Sequence, residues 1–292
     1  MKWIQVSLDV DAEAAEAVAE VLSRFAPDGV AFETQGDGQS TTQASVTVKA
    51  YLPAGPQTKS VQHRLAEALW HLGQIYPIPE PTFATIAEAD WADAWKEHFH
   101  PLRVGQRIVI KPSWREFETA PDDILIELDP GMAFGTGLHP TTQMCLTTIE
   151  QKMRPGMRVL DLGTGSGILA LAAAKLGADE VLALDTDPVA VAAAQENIQR
   201  NDATQIVTVA QGSLDRATGV YDLVVVNILA KVIISLAREG LAERVRPAGQ
   251  WVTAGIIETQ VAEVVAILEA AGLRVTEKRQ IADWVTLIGH KV

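Results

Sequence analysis

From residue 157 onward, strand-like and helix-like stretches alternate without interruption, and this rhythm confines the chain to few architectures. "RVLDLG" has the apolar run of a buried strand, and "GILALAAAKLG" that of a helix closed by Gly177. "EVLALDT" and "PVAVAAAQENIQRN" repeat the pair, with Pro188 in the first helical turn, where a missing N–H costs nothing. "IVTVAQGS", "YDLVVVNI", "KVIISLAREGLAERV", "QWVTAGI" and "TQVAEVVAILEAAG" continue as strand, strand, helix, strand and helix. "LRVTEKRQ" and "DWVTLIGHK" close the chain and are expected as an antiparallel pair. Alternating elements of these lengths predict an α/β, doubly wound, mostly parallel sheet. Ligands of such sheets lie at the carboxyl ends of the strands.

The strand ends carry a consistent set of polar residues. The first ends "DLGTGSG", residues 161 to 167, a G-x-G-x-G turn of Gly163, Gly165 and Gly167 that lets a ligand approach the backbone. A dinucleotide fingerprint has its third Gly one place later, where Ile168 stands. The acid Asp161 is awkward beside a pyrophosphate but suits a ligand bearing an ammonium group. The second strand ends at Asp185, twenty residues after Gly165, where an acid accepts hydrogen bonds from both ribose hydroxyls. Asp187, just before Pro188, is the better helix cap. Together these point to a ribose-bearing ligand without pyrophosphate. S-adenosylmethionine is such a ligand, and NAD is the runner-up. Ser213, after the third strand, suits an adenine edge or a turn cap equally well. The fourth strand ends at Asn227 in "VVVNILA", where the reacting end of the ligand should lie. Its side-chain oxygen, with nearby carbonyls, can accept hydrogen bonds from an amine. A helix-capping Asn is the plainer alternative. The aromatic that stacks on a base in Asn-Pro-Pro-aromatic methyltransferases is absent, since Ile228, Leu229 and Ala230 follow.

Ahead of this region, residues 131 to 142 read "GMAFGTGLHPTT". Three glycines in seven residues suggest close approach to a ligand, yet no Lys follows as in a P-loop. No general base is evident; His139 is the nearest candidate by sequence, and a structural, capping role is the better reading of it. "RIVIKPSW" and "DILIELDP" precede it as a strand pair. At the other end, "WIQVSLDV", "DAEAAEAVAEVLSRFA", "GVAFET", "ASVTVKAYLP", "TKSVQHRLAEALWHL" and "TFATIAEA" run β-α-β-β-α-β, the order of a ferredoxin-like domain. The boundaries are set at 1–88 for this domain, 89–120 for a linker helix and strand, and 121–292 for the sheet domain. In the linker, Trp91 and Trp95 share one helical face and suggest a docking stripe. His98 and His100 lack partners at metal-ligand spacing, so no metal is expected.

Charge narrows the partners. With 24 Lys and Arg against 37 Asp and Glu, the formal charge is −13. Nucleic acid is bound largely by neutralising phosphates, so direct nucleic-acid contact is not expected. A small molecule or a basic protein fits better. The single Cys145 excludes an intramolecular disulfide, and neither a signal peptide nor a membrane span is evident, so a cytoplasmic protein is expected.

"DPGMAFGTGLHPTT", "DLGTGSGILALAAAKLGA", "LDTDP" and "NILA" together resemble the ribosomal protein L11 methyltransferases, as does "DWADAWKEHFHPLRVGQRIVIKPSW". The resemblance runs from about residue 90 to the end and is weaker before it. It implies a class I S-adenosylmethionine-dependent domain behind a small domain that recognises the ribosomal protein. It implies a linker that lets the two reorient. It implies methyl transfer to lysine side chains and the N-terminal α-amine of ribosomal protein L11, by a monomer. Carried over by position, the cofactor contacts are Thr142, Gly163, Asp185 and Asn227. Gly165 and Phe134 join them as further cofactor-binding candidates, and Asn227 is the catalytic candidate. The alternative is an S-adenosylmethionine-dependent enzyme acting on another protein or a small amine. An oxidoreductase, a nucleic-acid methyltransferase and a non-enzymatic ribosome-binding module fit the strand ends less well.

Overall fold

The computed structural model describes residues 2–23, 25–26, 30–34, 45–55, 58–74, 77–87, 100–129 and 137–292. The described residues up to His100 form one compact unit and those from Pro101 a second. Phe134, Trp91, Trp95, His98 and the linker helix lie outside the described residues.

The first unit contains β1 (Lys2–Asp11), α1 (Ala12–Ser23), β2 (Val30–Thr34), β3 (Ser45–Pro53), α2 (Thr58–Gly73) and β4 (Thr82–Ala87). Its four strands lie in the order β2-β3-β1-β4, every pair antiparallel. That is the ferredoxin-like arrangement expected from the element order. Val6, Leu8 and Val10 alternate along β1 and face one side, as a period of two requires. They share a buried cluster with Val18 and Leu22 of α1 and Leu65 and Leu69 of α2.

The second unit opens with β5 (Leu102–Val104), β6 (Ile108–Lys111) and β7 (Ile124–Glu127), which form a small sheet. A linker reaching residue 120 would leave β5 and β6 outside the sheet domain. Instead Val104, Ile108 and Ile110 are buried in the same cluster as Val159 and Val181 of the large sheet, so these strands belong to the second unit. Polar ties reinforce the packing. Asn201 Nδ2 donates to the Glu127 carbonyl at 2.6 Å, and Glu127 N donates back to Asn201 Oδ1 at 2.9 Å.

Next comes α3 (Pro140–Lys152), whose first residues belong to the stretch expected as a ligand-approaching loop and whose remainder carries no expected element. It holds four threonines and has poor intrinsic propensity. It forms because seven of its residues are buried and both ends are held. Pro140 is pre-set for the first turn, and Glu150 accepts from Gln106 N and Arg107 N at 2.9 and 2.6 Å.

The large sheet then builds from β8 (Arg158–Leu162), α4 (Ile168–Lys175), β9 (Glu180–Asp185), α5 (Pro188–Arg200), β10 (Val207–Gln211), β11 (Tyr221–Asn227), α6 (Ala230–Arg238), α7 (Leu241–Arg244), β12 (Val245–Ile257), α8 (Val261–Ala270), β13 (Leu273–Ile281) and β14 (Trp284–Lys291). The strand order is β10-β9-β8-β11-β12-β14-β13. The first five are parallel, and β14 runs antiparallel to both neighbours. Successive residues of β8 bury on opposite faces: Val159 joins the cluster with α3 and α4, and Leu160 the cluster with α6 and α8. The stretch expected as one helix over "KVIISLAREGLAERV" is broken at Gly240, whose φ of 104° ends α6 and starts α7. The order reverses between β8 and β11, so the connections that leave their carboxyl ends run to helices on opposite faces, α4 and α6, and in sheets of this kind the crevice for a ligand lies there.

Candidate active site

The crevice is lined first by the turn after β8. Gly163 N and Thr164 N both donate to the Leu184 carbonyl, at 2.8 and 3.0 Å, which ties the turn to the end of β9. Gly163, Gly165 and Gly167 all have positive φ, so side chains are disfavoured at each. Gly167 caps α4, and a Cβ there would stand 3.3 Å from Ala194 of α5. Asn197 Nδ2, one turn further along α5, donates to the Ser166 carbonyl at 2.9 Å. The turn is thereby held from both flanks.

Asp185 organises the loop from β9. Its Oδ2 accepts from Gly165 N at 2.9 Å and its Oδ1 from Asp187 N at 3.0 Å. A carboxylate oxygen has two lone pairs, so both oxygens keep an acceptor site for a diol. Asp187 caps α5 by accepting from Val189 N, as its place before Pro188 predicts. Ser213 N donates to Asp215 Oδ1 at 2.9 Å, which makes that segment a local turn.

Asp161 is fully buried beneath the turn. Thr164 Oγ1 donates to its Oδ2 at 2.7 Å, while Oδ1 has no hydrogen-bond partner among the described residues. Burial pushes its carboxyl up to about 7, against the opposing hydrogen bonds from Thr164 and the Ala170 backbone, and the charge on Asp185 adds to the rise. A buried carboxylate with one orphan oxygen is suited to a cationic neighbour. The buried Cys145 thiol is pushed well above its ordinary range by desolvation first and by Asp161 second, which leaves it inert.

Asn227 ends β11 and is buried at 8% exposure. It caps no helix: Leu229 holds the N-cap position of α6, without a side-chain cap. Its Nδ2 points to Thr142 Oγ1 at 3.5 Å, the long end of hydrogen bonding. Thr142 sits in the first turn of α3, fully buried. The structure thus brings together Asn227 and Thr142, 85 residues apart in sequence. His139 is the N-cap of α3: its Nδ1 accepts from Thr141 N at 3.3 Å and lies 2.7 Å from Thr141 Oγ1. Its ring meets Trp284 edge-on, with centroids 4.9 Å apart. Among the described residues no cluster of His, Cys, Asp and Glu can hold a metal. Nor is any helix there long and apolar enough to cross a membrane.

The site's sequence signals differ in strength. Gly163, Gly165, Asp185 and Asn227 are legible as strand ends. Thr142 has no signal of that kind, because its helix lacks amphipathic pattern and amide-to-hydroxyl contact across the sheet is invisible locally.

A family model described as "Ribosomal protein L11 methyltransferase (PrmA)" matches residues 2–292. A ribosomal protein L11 methyltransferase of Chloroflexus aurantiacus is 42% identical, with 99% of this chain and 98% of that protein covered. Another, of Herpetosiphon aurantiacus, is 43% identical over 100% of this chain and 99% of that protein. Among solved structures, the ribosomal protein L11 methylase of Lactobacillus delbrueckii subsp. bulgaricus is similar at 34% identity and a TM-score of 0.60. That match covers 66% of this chain and 99% of that one.

Proposed function

This chain belongs to the ribosomal protein L11 methyltransferase family, and from that premise we propose that it transfers methyl groups from S-adenosylmethionine to amines of ribosomal protein L11, at lysine side chains and the N-terminal α-amine. The observation that carries the reading is the crevice at the sheet's reversal. There Asp185, Asp161 and Asn227 end adjacent parallel strands, in an order that matches a diol, a cation and an amine acceptor.

Asp185 keeps two acceptor sites for the ribose hydroxyls. Asp161, whose Oδ1 has no hydrogen-bond partner among the described residues, suits the ammonium of the methionine part. Thr142, Gly163 and Gly165 line the same crevice, with Phe134 as a further cofactor contact. Bound there, the cofactor supplies a methyl group on a sulfonium, whose thioether leaves without needing a proton.

The protein's remaining work concerns the acceptor. A free lysine has a pKa of about 10.4, so presenting it neutral at pH 7 costs about 4.6 kcal/mol. An α-amine near pKa 8 costs far less. Desolvation in a narrow crevice lowers an amine's pKa, and a neighbouring positive charge lowers it further. With Nδ2 turned to Thr142, Asn227 is left with Oδ1 as an acceptor that holds the amine and aims its lone pair. This is positioning catalysis: the acceptor is held in a near-attack pose. Solvent takes the proton. The first domain recognises the ribosomal protein, and the enzyme acts as a monomer in the cytoplasm, needing neither metal nor nucleic acid.

The test is intact mass of large-subunit ribosomal proteins from a methylation-deficient host, incubated with the chain and S-adenosylmethionine. Ribosomal protein L11 alone should gain mass in methyl-sized steps. A gain on a different protein, or cofactor binding with no gain at all, overturns the substrate assignment.

A further inference from the structure

The turn that presents Asn227 is clamped between two glycines, Gly163 in the turn after β8 and Gly255 in β12. After Asn227 the parallel ladder continues by one bond, from Ile228 N to the Ala254 carbonyl at 3.2 Å. Across β12, the pairing with β14 runs Thr253↔Leu287 and then Ile256↔Val285. Three steps on β12 thus match two on β14, which leaves one extra residue in β12 at Ala254–Gly255, a β-bulge. Gly255 sits in it with φ of 85°.

Both glycines bear on Ile228. A Cβ on Gly255 would lie 2.2 Å from the Ile228 carbonyl oxygen, 2.8 Å from its carbon and 3.2 Å from its nitrogen, all backbone atoms. A Cβ on Gly163 would lie 2.2 Å from Ile228 Cγ2, a side-chain atom. The backbone of Ile228 therefore rests on the bulge of β12, and its side chain fills the space above the turn after β8. Asn227 cannot shift without unseating one or the other.

We propose that Gly255 is a positioning residue for methyl transfer: the glycine bulge of β12 sets the Ile228 peptide, and through it the direction of the Asn227 side chain toward the acceptor amine. Ile228 is the key that links this bulge to the Gly163 turn. The inference rests on the proposed role of Asn227. No amino acid with a side chain fits at 255 without displacing backbone, and a displacement of about 1 Å at a reacting group costs on the order of 100-fold in rate.

The test uses the full chain, S-adenosylmethionine and ribosomal protein L11. Gly255→Ala should lower kcat on the order of 100-fold. KM for the ribosomal protein and the dissociation constant of S-adenosylhomocysteine should both stay within about threefold of the parent. In an Asn227→Ala background the same substitution should cost less than about threefold more, because both changes remove one function. A merely structural glycine would add its full effect there. Ile228→Ala, which only trims a side chain, should also lose kcat and show the same non-additivity, and it keeps the test alive if Gly255→Ala fails to fold. Rescue separates the two contacts. In denaturant unfolding, Ile228→Ala should relieve the part of the Gly163→Ala destabilisation that comes from the Cγ2 clash, leaving the strain of its positive φ, and should not relieve Gly255→Ala, whose clash is with backbone. A Gly255→Ala enzyme with parental kcat, or additive losses with Asn227→Ala, overturns the inference. A parent that binds cofactor but never methylates the ribosomal protein overturns the function proposed above instead.

Discussion

At the ends of β8 and β9 the chain is tied by short polar contacts: Asp185 to two backbone N–H groups at 2.9 and 3.0 Å, Thr164 to Asp161 at 2.7 Å, and the Leu184 carbonyl to two more. At the ends of β11 and β12 a single backbone bond, from Ile228 N to the Ala254 carbonyl at 3.2 Å, is joined by steric seating. Asn227 has one long contact at 3.5 Å, and Ile228 is seated between Gly163 and Gly255. The first region suits a ligand that is the same in every turnover, so its partners can be fixed in advance. In the function proposed, the second must admit amines from differing protein contexts. Packing would then fix its backbone and leave Asn227 Oδ1 to bond the incoming group.

If that contrast is right, the two ends should fail differently. The largest effect is expected at the acceptor end. Asn227→Ala should lower kcat by about 100- to 1,000-fold, the usual loss for one preorganised polar group, with a much smaller loss of cofactor affinity by calorimetry. Intact turnover in that variant would remove the acceptor role.

Asp185→Ala should invert the pattern. Losing acceptor bonds to a charged group costs about 3 kcal/mol, on the order of 100-fold in cofactor dissociation constant. Saturating cofactor should then restore most of the rate, and a kcat loss without an affinity loss would erase the distinction between the two ends.

Asp161 sharpens the comparison through pH. Burial raises its folded pKa to about 7, from the ordinary value of 3.8, so the folded state binds the extra proton between those values. Stability from this group is full below the unfolded value and is lost as pH rises through about 7. Between pH 6 and 8 the parent should lose about 1.4 kcal/mol more than Asp161→Asn, read by denaturant unfolding at both pH values without cofactor. Equal losses would mean that the carboxyl is solvated after all.

The smallest effect concerns the helix that carries Thr142. His139→Ala should lower stability by about 1 kcal/mol, and His139→Ser, which can still cap, by less. A larger loss in His139→Ser would place the ring's contact with Trp284 above its cap.

Much of the fold was legible residue by residue. The β-α-β-β-α-β order of the first unit, the parallel strands from Arg158 and the closing antiparallel pair all follow from apolar period and from punctuation by glycine and proline. Asp187 reads as a cap because Asp before Pro has a local mechanism, and the structure has that bond. Three things were not legible. The helix over 140–152 is hidden because its threonines argue against it locally, and burial overrides them. The strands β5 and β6 read as linker because they are short, and only their shared core with β8 and β9 assigns them to the second unit. The break at Gly240 is not legible because one glycine inside an apolar helical pattern is tolerated at a cost of about 1 kcal/mol.

The sequence by itself determined the class of fold, the strand ends and the chemistry offered there: glycines after β8, a carboxylate after β9, an amide after β11. These follow from short-range rules, a period of 2 or 3.6 and the conformations a residue can adopt. Tertiary structure alone decided what those groups meet. It set Thr142 against Asn227 and seated Ile228 between Gly163 and Gly255. Each of these joins residues tens of positions apart, and a contact of that kind exists only once the sheet has closed and expelled its water.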